Sequence, residues 1–360
     1  MAYTDIDDPT IYFANTIWTG NNTNDRDIVI AGTGMQPDLF WVKGRSNTQS
    51  HFIFDTVRAT NISIHPDTNA AESSQAYMLR DPFFNSDGVN VGTDAGINAN
   101  SQTYIAWSWN TGTSFSNDAS STSVGTIDSA GSVTTDAAFS IITYTGTGTA
   151  GTVAHGLGKL PKMIIAKQRN STANWSVYFL DTSIAYNNVR NYLELNTNIA
   201  STGDSGARWG AYGNYSTTTF GVGTNAANNA SGSTYVAYVF SDIQGYSKIG
   251  KYTGNGNANG PFIYTGFQPA FVMVKRTDGT GDWAIMDTAR NPFNVINNYQ
   301  KAQANEADST DESFDIDSVS NGFKLRYTNS NYNGNGNAYI YMAFAKNPFV
   351  NSEGVPGNAR

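Results

Sequence analysis

Three aspartates recur at matching places: Asp55 in HFIFDTVR, Asp181 in WSVYFLDTS and Asp287 in WAIMDTAR. Carboxylates could cleave a glycoside if an acid and a nucleophile or base stood about 5–10 Å apart. Each of these, however, ends an apolar run and opens a turn, where an aspartate accepts hydrogen bonds from the amides that follow. Repetition of the same local context points to a turn-holding role. Lys43, Lys167 and Lys275 recur in the same way, with Arg45, Arg169 and Arg276 nearby. Such a lysine is expected to lay its stem on a sheet, leave its charge in water and pair with the aspartate of the next strand.

Other groups offer less. The histidines are His51, His65 and His155, and none has the spacing of a zinc site or a catalytic triad. His51 holds the place that Trp283 holds in WAIMDTAR, an aromatic packing position. The stretch EADSTDESFDIDS gathers Glu306, Asp308, Asp311, Glu312, Asp315 and Asp317 but lacks the glycine and closing glutamate of a calcium loop, so a solvated acidic loop is expected. GNGNANG and NGNGN lack the Gly-Lys-Ser/Thr of a phosphate cradle. No catalytic residue, metal or cofactor is therefore assigned. Loop aromatics remain, Trp209, Tyr212 and Tyr215 in RWGAYGNYS and Tyr327 and Tyr332 in RYTNSNYNGNG. Flat rings beside amides suit a sugar surface or a protein interface, and these five are the candidate ligand-binding residues.

The elements that must position these residues repeat three times. WTG ending at Gly20, YTG ending at Gly146 and YTG ending at Gly254 are followed after 17, 15 and 15 residues by Pro37, Pro161 and Pro269, and six residues later by the three lysines. The aspartate segments come next, and each repeat closes on a doubly apolar run: TYIAWSW, TYVAYVF and AYIYMAF. A period near 108 residues is too long for a propeller blade or solenoid repeat, which run about 20–50. Runs apolar on both alternating faces predict strands covered by a second sheet or by a neighbour. The expected fold is all-β, with three tandem homologous β-sandwich, jelly-roll-like units at 17–110, 139–250 and 251–346.

Residues 1–16 are expected to anchor the chain, the Ser/Thr/Gly-rich 111–138 to form a linker or strap, and 347–360 to form a tail. Composition agrees with a β fold: Tyr and Phe together number 39, Leu eight and Gly 35. The net charge of −8 and the lack of basic runs argue against nucleic-acid binding, and the absence of cysteine removes disulfides and thiolate sites. The sequence predicts no signal peptide and no membrane insertion.

The wording of FSIITYTGTG, HGLGKLPKMIIAKQR, STYVAYVFSDIQGYSKIGKYTGNGNANGPFIYTGFQPAFVMVKR and AYIYMAFAKNPF resembles a repeat-bearing family of tailed-bacteriophage virion proteins, described as tail-fibre-like structural proteins or as a domain of unknown function. That resemblance implies a non-enzymatic phage structural protein located in the virion: a tail fibre or spike component presenting loops for host attachment. A capsid decoration or head-fibre protein and a polysaccharide depolymerase are the alternatives. Implied partners are other virion proteins, through the N-terminal segment, a host-surface glycan or protein, and further copies of the chain in a homo-oligomer such as a trimer.

Overall fold

The TG dipeptide recurs because its glycine leaves no room for a side chain. A β-carbon at Gly20, Gly146 or Gly254 would stand 2.1, 2.3 or 2.4 Å from the carbonyl oxygen of Ala99, Ala230 or Gly334. These glycines end the opening strands Phe13–Thr19, Phe139–Thr145 and Ser247–Thr253 at a crossing where another backbone lies against them. A buried asparagine fastens each crossing. Asn98 Nδ2 donates to the carbonyls of Thr23 and Gly92, Asn229 Nδ2 to those of Thr149 and Gly223, and Asn333 Nδ2 to those of Asn257 and Tyr327. Their Oδ1 atoms accept from the amides of Asn21, Thr147 and Asn255. Beside them the hydroxyls of Tyr104, Tyr235 and Tyr339 accept from the amides of Ala99, Ala230 and Gly334, and donate to the carbonyls of Ala95, Ala226 and Ser330.

The computed structural model describes all residues except 1–2, 31–33, 60, 181–189, 212–213, 311–312 and 358–360. Those described form an all-β protein whose helices are short turns at Pro9–Ile11, Ala119–Thr122 and Ala226–Asn229. Three antiparallel sheets repeat one strand order. An opening strand pairs with a closing strand (Thr103–Trp109, Thr234–Phe240, Ala338–Pro348), which pairs with a proline strand (Leu39–Gly44, Met163–Gln168, Phe267–Arg276), which pairs with an aspartate strand (Phe52–Asp55, Ser176–Phe179, Trp283–Asp287). Pro269 lies inside its strand, where the ladder shifts register on both sides of it, the bulge context that lets a proline enter a sheet.

Each large sheet faces a small one, built from Arg26–Val29, Gly88–Val91 and Leu79–Asn85 in the first body, Gly151–Ala154 and Thr219–Val222 in the second, and Phe262–Tyr264, Gly322–Leu325 and Ile316–Val319 in the third. The two-faced apolar strings divide accordingly. In the first proline strand Phe40 and Val42 pack towards the small sheet, with Ile28, Val89 and Val91. Leu39 and Trp41 point the other way, into a core shared with Met163 and Ile165 of the second body and Phe271 and Met273 of the third. A second sheet covers one face and the two neighbouring bodies cover the other. The shared core is closely filled. Its void measures only about 20 Å³ and is walled by side chains of all three bodies, including Trp41, Ile165 and Met273.

Around that core the contacts run in a closed ring. Trp175 Nε1 donates to His65 O of the first body, Trp283 Nε1 donates to Glu194 O of the second, and His51 Nε2 lies 3.1 Å from Lys301 O of the third. Because His51 Nδ1 accepts from Trp41 Nε1, its Nε2 carries the proton and donates. Backbone bonds follow the same ring: Glu72 N to Arg169 O, Ser201 N to Thr277 O and Asp308 N to Arg45 O. Burying a large ring is worth roughly 1.5–3 kcal/mol, against about 1 kcal/mol for a hydrogen bond. The rings supply the adhesion, and the directional bonds set the register.

Residues 111–138 are not a linker: Thr113–Asn117 and Ser129–Thr134 form two further strands on the edge of the second sheet, joined by a turn that Asp118 caps. Backbone pairing is indifferent to composition, and this hairpin buries little beyond Ile127 and Val133, so it reads as polar. Residues 1–16 do not stand apart. Ile6 and Phe13 enter the shared core, Phe13 stacks on Phe344, Tyr3 bonds the carbonyl of Gly266 in the third body, and Thr4 that of Gln244 just before it. In the tail, the amide of Ser352 bonds back to Asp7.

Lys43, Lys167 and Lys275 are fully buried, not snorkelling. Following the strand alternation, they occupy the shared-core face at one end of the proline strands, and each ammonium donates to the carbonyl of the next residue, Gly44, Gln168 or Arg276, at 2.7–2.8 Å. Burial lowers each from its ordinary value to about 8.

Two predictions follow from this architecture. Asn333→Ala leaves two carbonyls and an amide unpaired in a buried crossing and is expected to cost about 2–3 kcal/mol in urea unfolding, whereas Asn255→Ala, at an exposed turn, costs under about 1 kcal/mol; equal losses would refute the crossing's role. For the lysines the folded state binds protons more weakly than the unfolded chain, so stability rises with pH between about 8 and the unfolded value of about 10.5. Buried tyrosines such as Tyr144 and Tyr238, raised by desolvation, reverse the trend above about pH 10. The urea midpoint should therefore climb from pH 7.5 to 9.5, and the triple change Lys43→Met, Lys167→Met, Lys275→Met should flatten that climb.

Candidate functional site

The four described loop aromatics, Trp209, Tyr215, Tyr327 and Tyr332, do not share one surface. Trp209 is wholly buried in the core of the second body, and Tyr332 is wholly buried in that of the third, where its hydroxyl donates to Asp315 O and its ring meets Phe314. Tyr215 is half-buried, stacked 4.4 Å from Tyr178, with its hydroxyl on the carbonyls of Trp209 and Gly221. Tyr327 is exposed, and Tyr212 lies outside the described residues. In the second and third bodies loop rings join the small sheet in covering the large one. At Trp209, Tyr215 and Tyr332 the aromatic-rich glycine loops close the core.

The aspartates hold turns, as their context implies. Asp55 Oδ1 accepts from the amides of Val57 and Arg58, and Asp287 Oδ1 from those of Ala289 and Arg290. Their cationic partner is not a lysine but the arginine three residues on. Arg58 Nε meets Asp55 Oδ2 at 2.7 Å and Arg290 Nε meets Asp287 Oδ2 at 2.6 Å, with all four side chains fully buried. Burial opposes the charge on Arg58 and Arg290, and the adjoining carboxylates override it, holding both guanidiniums above their usual range. Each aspartate also reaches the next body: Tyr238 Oη donates to Asp55 Oδ2, and Trp107 Nε1 to Asp287 Oδ2. Asp181 lies outside the described residues. A carboxylate saturated by a guanidinium, two amides and a phenol or indole has no lone pair left for a substrate.

The acidic stretch is likewise used internally. Asp308 bridges Arg45 of the first body and Arg290 of its own, Glu306 pairs with Lys301, and Asp317 with Arg326. It is therefore no free solvated loop; Asp311 and Glu312 lie outside the described residues. Among the described residues no three histidine or acidic side chains are grouped to hold a metal ion. His51 and His155 are buried, and desolvation lowers both, His155 to about 4.

The first body carries an open polar cavity. A cavity of about 340 Å³ opens between the turn at Asn24 and Asp25, the chain at Asn61, and the stretch from Ala76 to Phe83. Leu79, buried, and the half-buried Phe83 give it apolar surface; Asp25, Asp81, Arg80, Asn24 and Asn61 give it polar groups. Asp25 is in the left-handed region, φ 63°, and its Oδ1 is held by Asn90 Nδ2 at 2.7 Å. Arg80 donates to the carbonyl of Ala76. This lining can donate and accept hydrogen bonds on several sides of a small polar ligand, and among the described residues it includes no Ser, Cys, His or Lys. It suits binding more than covalent chemistry. Sequence reasoning missed it, although the Gly20–Pro37 interval that contains Asn24 and Asp25 is two residues longer than its counterparts.

No curated protein and no solved structure matches this chain. Residues 8–348, which include all three large sheets and the cavity lining, match one family throughout: the chain belongs to the family described as a domain of unknown function, DUF7483.

Proposed function

We propose that this chain is a bacteriophage virion structural protein, a tail fibre or spike component that presents loops for host-surface attachment. The observation that carries the reading is the resemblance of the three repeats, densest from 139 to 348, to repeat-bearing virion proteins. The architecture supports it physically. A fibre must stay folded outside a cell without chaperones, and this fold closes its largest apolar surfaces into one core tied by a ring of directional contacts. The carboxylates of Asp55 and Asp287 are saturated by the fold itself, which favours a scaffold over a polysaccharide depolymerase.

Attachment to other virion proteins would use the exposed side of the N-terminal segment, where Asp5, Asp7 and Asp8 face outward while Thr4 and Ile6 face in. Any homo-oligomer would form through outer faces, since the central contact of three bodies is already filled within one chain. The host-side partner is a surface glycan or protein.

Gold-labelled antibody on intact particles, with copy number by quantitative mass spectrometry, tests this. Label at the tail and few copies per particle are expected. Label spread over the head at many copies would replace the proposal with a decoration role, and absence from purified particles would overturn it.

A further inference from the structure

The geometry points to the cavity on the first body as a binding site for a neutral saccharide. Its volume, about 340 Å³, lies at the lower end of the roughly 300–1,000 Å³ range of small-molecule sites and has room for a sugar ring or two. Its groups match sugar chemistry. Asp25 and Asp81 accept from hydroxyls, Arg80 donates to ring and hydroxyl oxygens, and Asn24 and Asn61 can do both, the combination that adjacent hydroxyls require. Phe83 and Leu79 offer apolar surface to the C–H face of a ring.

The contrast is with the residues the repeats hold in place: Asn98, Asn229 and Asn333 engage both side-chain atoms, and Asp55 and Asp287 both oxygens. In the cavity, Asn24 and Asp81 form no side-chain hydrogen bond among the described residues, and Asp25 uses one oxygen of two. The bond from Asn90 fixes that carboxylate in advance, so a ligand need not order it.

Charge narrows the class. Two carboxylates against one guanidinium leave the lining at −1, on a chain of net charge −8, so phosphorylated or uronic-acid sugars are disfavoured. A nucleotide is excluded by the same sign.

The inference rests on the attachment reading only for where the sugar comes from, and its test is separate. The folded full-length chain is titrated with methyl glycosides of glucose, galactose, mannose and N-acetylglucosamine and with glucuronic acid, followed by saturation-transfer NMR and by amide shifts on labelled protein. Expected are saturation transfer to at least one neutral glycoside, amide shifts at Asn24, Asn61 and Arg80, and at least tenfold weaker binding for Arg80→Ala and for Asp81→Asn with unchanged thermal unfolding. No binding by any neutral member at tens of millimolar, tighter binding of glucuronic acid than of glucose, or affinity untouched by both substitutions would overturn it. A silent cavity on a tail-located protein would end this inference alone. Sugar binding on a head-located protein would end the appendage reading alone.

Discussion

The fold depends on one constraint: its central strands are apolar on both faces, while each body owns only one sheet with which to cover them. Phe40 and Val42 find the small sheet of the first body, and Leu39 and Trp41 have nothing within it. Alone, such a body would expose Leu39, Trp41, Trp107 and Trp109 on one side, a contiguous patch of the kind soluble monomers rarely carry. Three bodies turning these faces inward remove the problem for all of them at once. Their adhesion is therefore part of folding and not a later association, and it needs no second chain.

An arrangement of three in one chain can depart from symmetry where three copies cannot. The donor on the aspartate strand is Trp175 and Trp283 in two bodies but His51 in the other, where an indole from Trp41 sets the tautomer that lets imidazole replace indole. Trp107 and Tyr238 reach across to a neighbouring aspartate from the closing strand, whereas the third body has Met342 at that register, which packs in the core and donates nothing. In the same way the second sheet alone gains the Thr113–Asn117 and Ser129–Thr134 hairpin. Each position is tuned to the one neighbour it meets.

Much of the scaffold was legible because it is enforced locally. The TG glycines announce a backbone crossing, the aspartates announce their turns, and runs apolar on both faces announce two-sided burial. The buried lysines were not legible. Strand periodicity places Lys43 on the inward face, but a charge at a strand end usually escapes to water, and only the neighbouring bodies close that route. The hairpin at 113–134 escaped notice because its stability lies in backbone pairing, which composition does not record. Trp209 and Tyr332 misled for the opposite reason. Their glycine-rich surroundings look like exposed loops, and it is packing over the large sheet, a tertiary fact, that draws the rings inward.

The cavity was hidden for a different physical reason. Sites held by repeated motifs stand out in one sequence, but Asn24, Asp25, Asn61, Arg80 and Asp81 come from three separated stretches that only the first body brings together. That location is consistent with how the scaffold divides its labour. Residues facing the shared core are bound by two neighbours and cannot change singly without loss, while loops on the outer rim of a small sheet touch only their own body. A polar cluster left open at that rim costs little stability, because water fills it until something better arrives. Function in this architecture is thus expected where the repeats disagree, and the first body, with its longer Gly20–Pro37 interval, disagrees at the cavity.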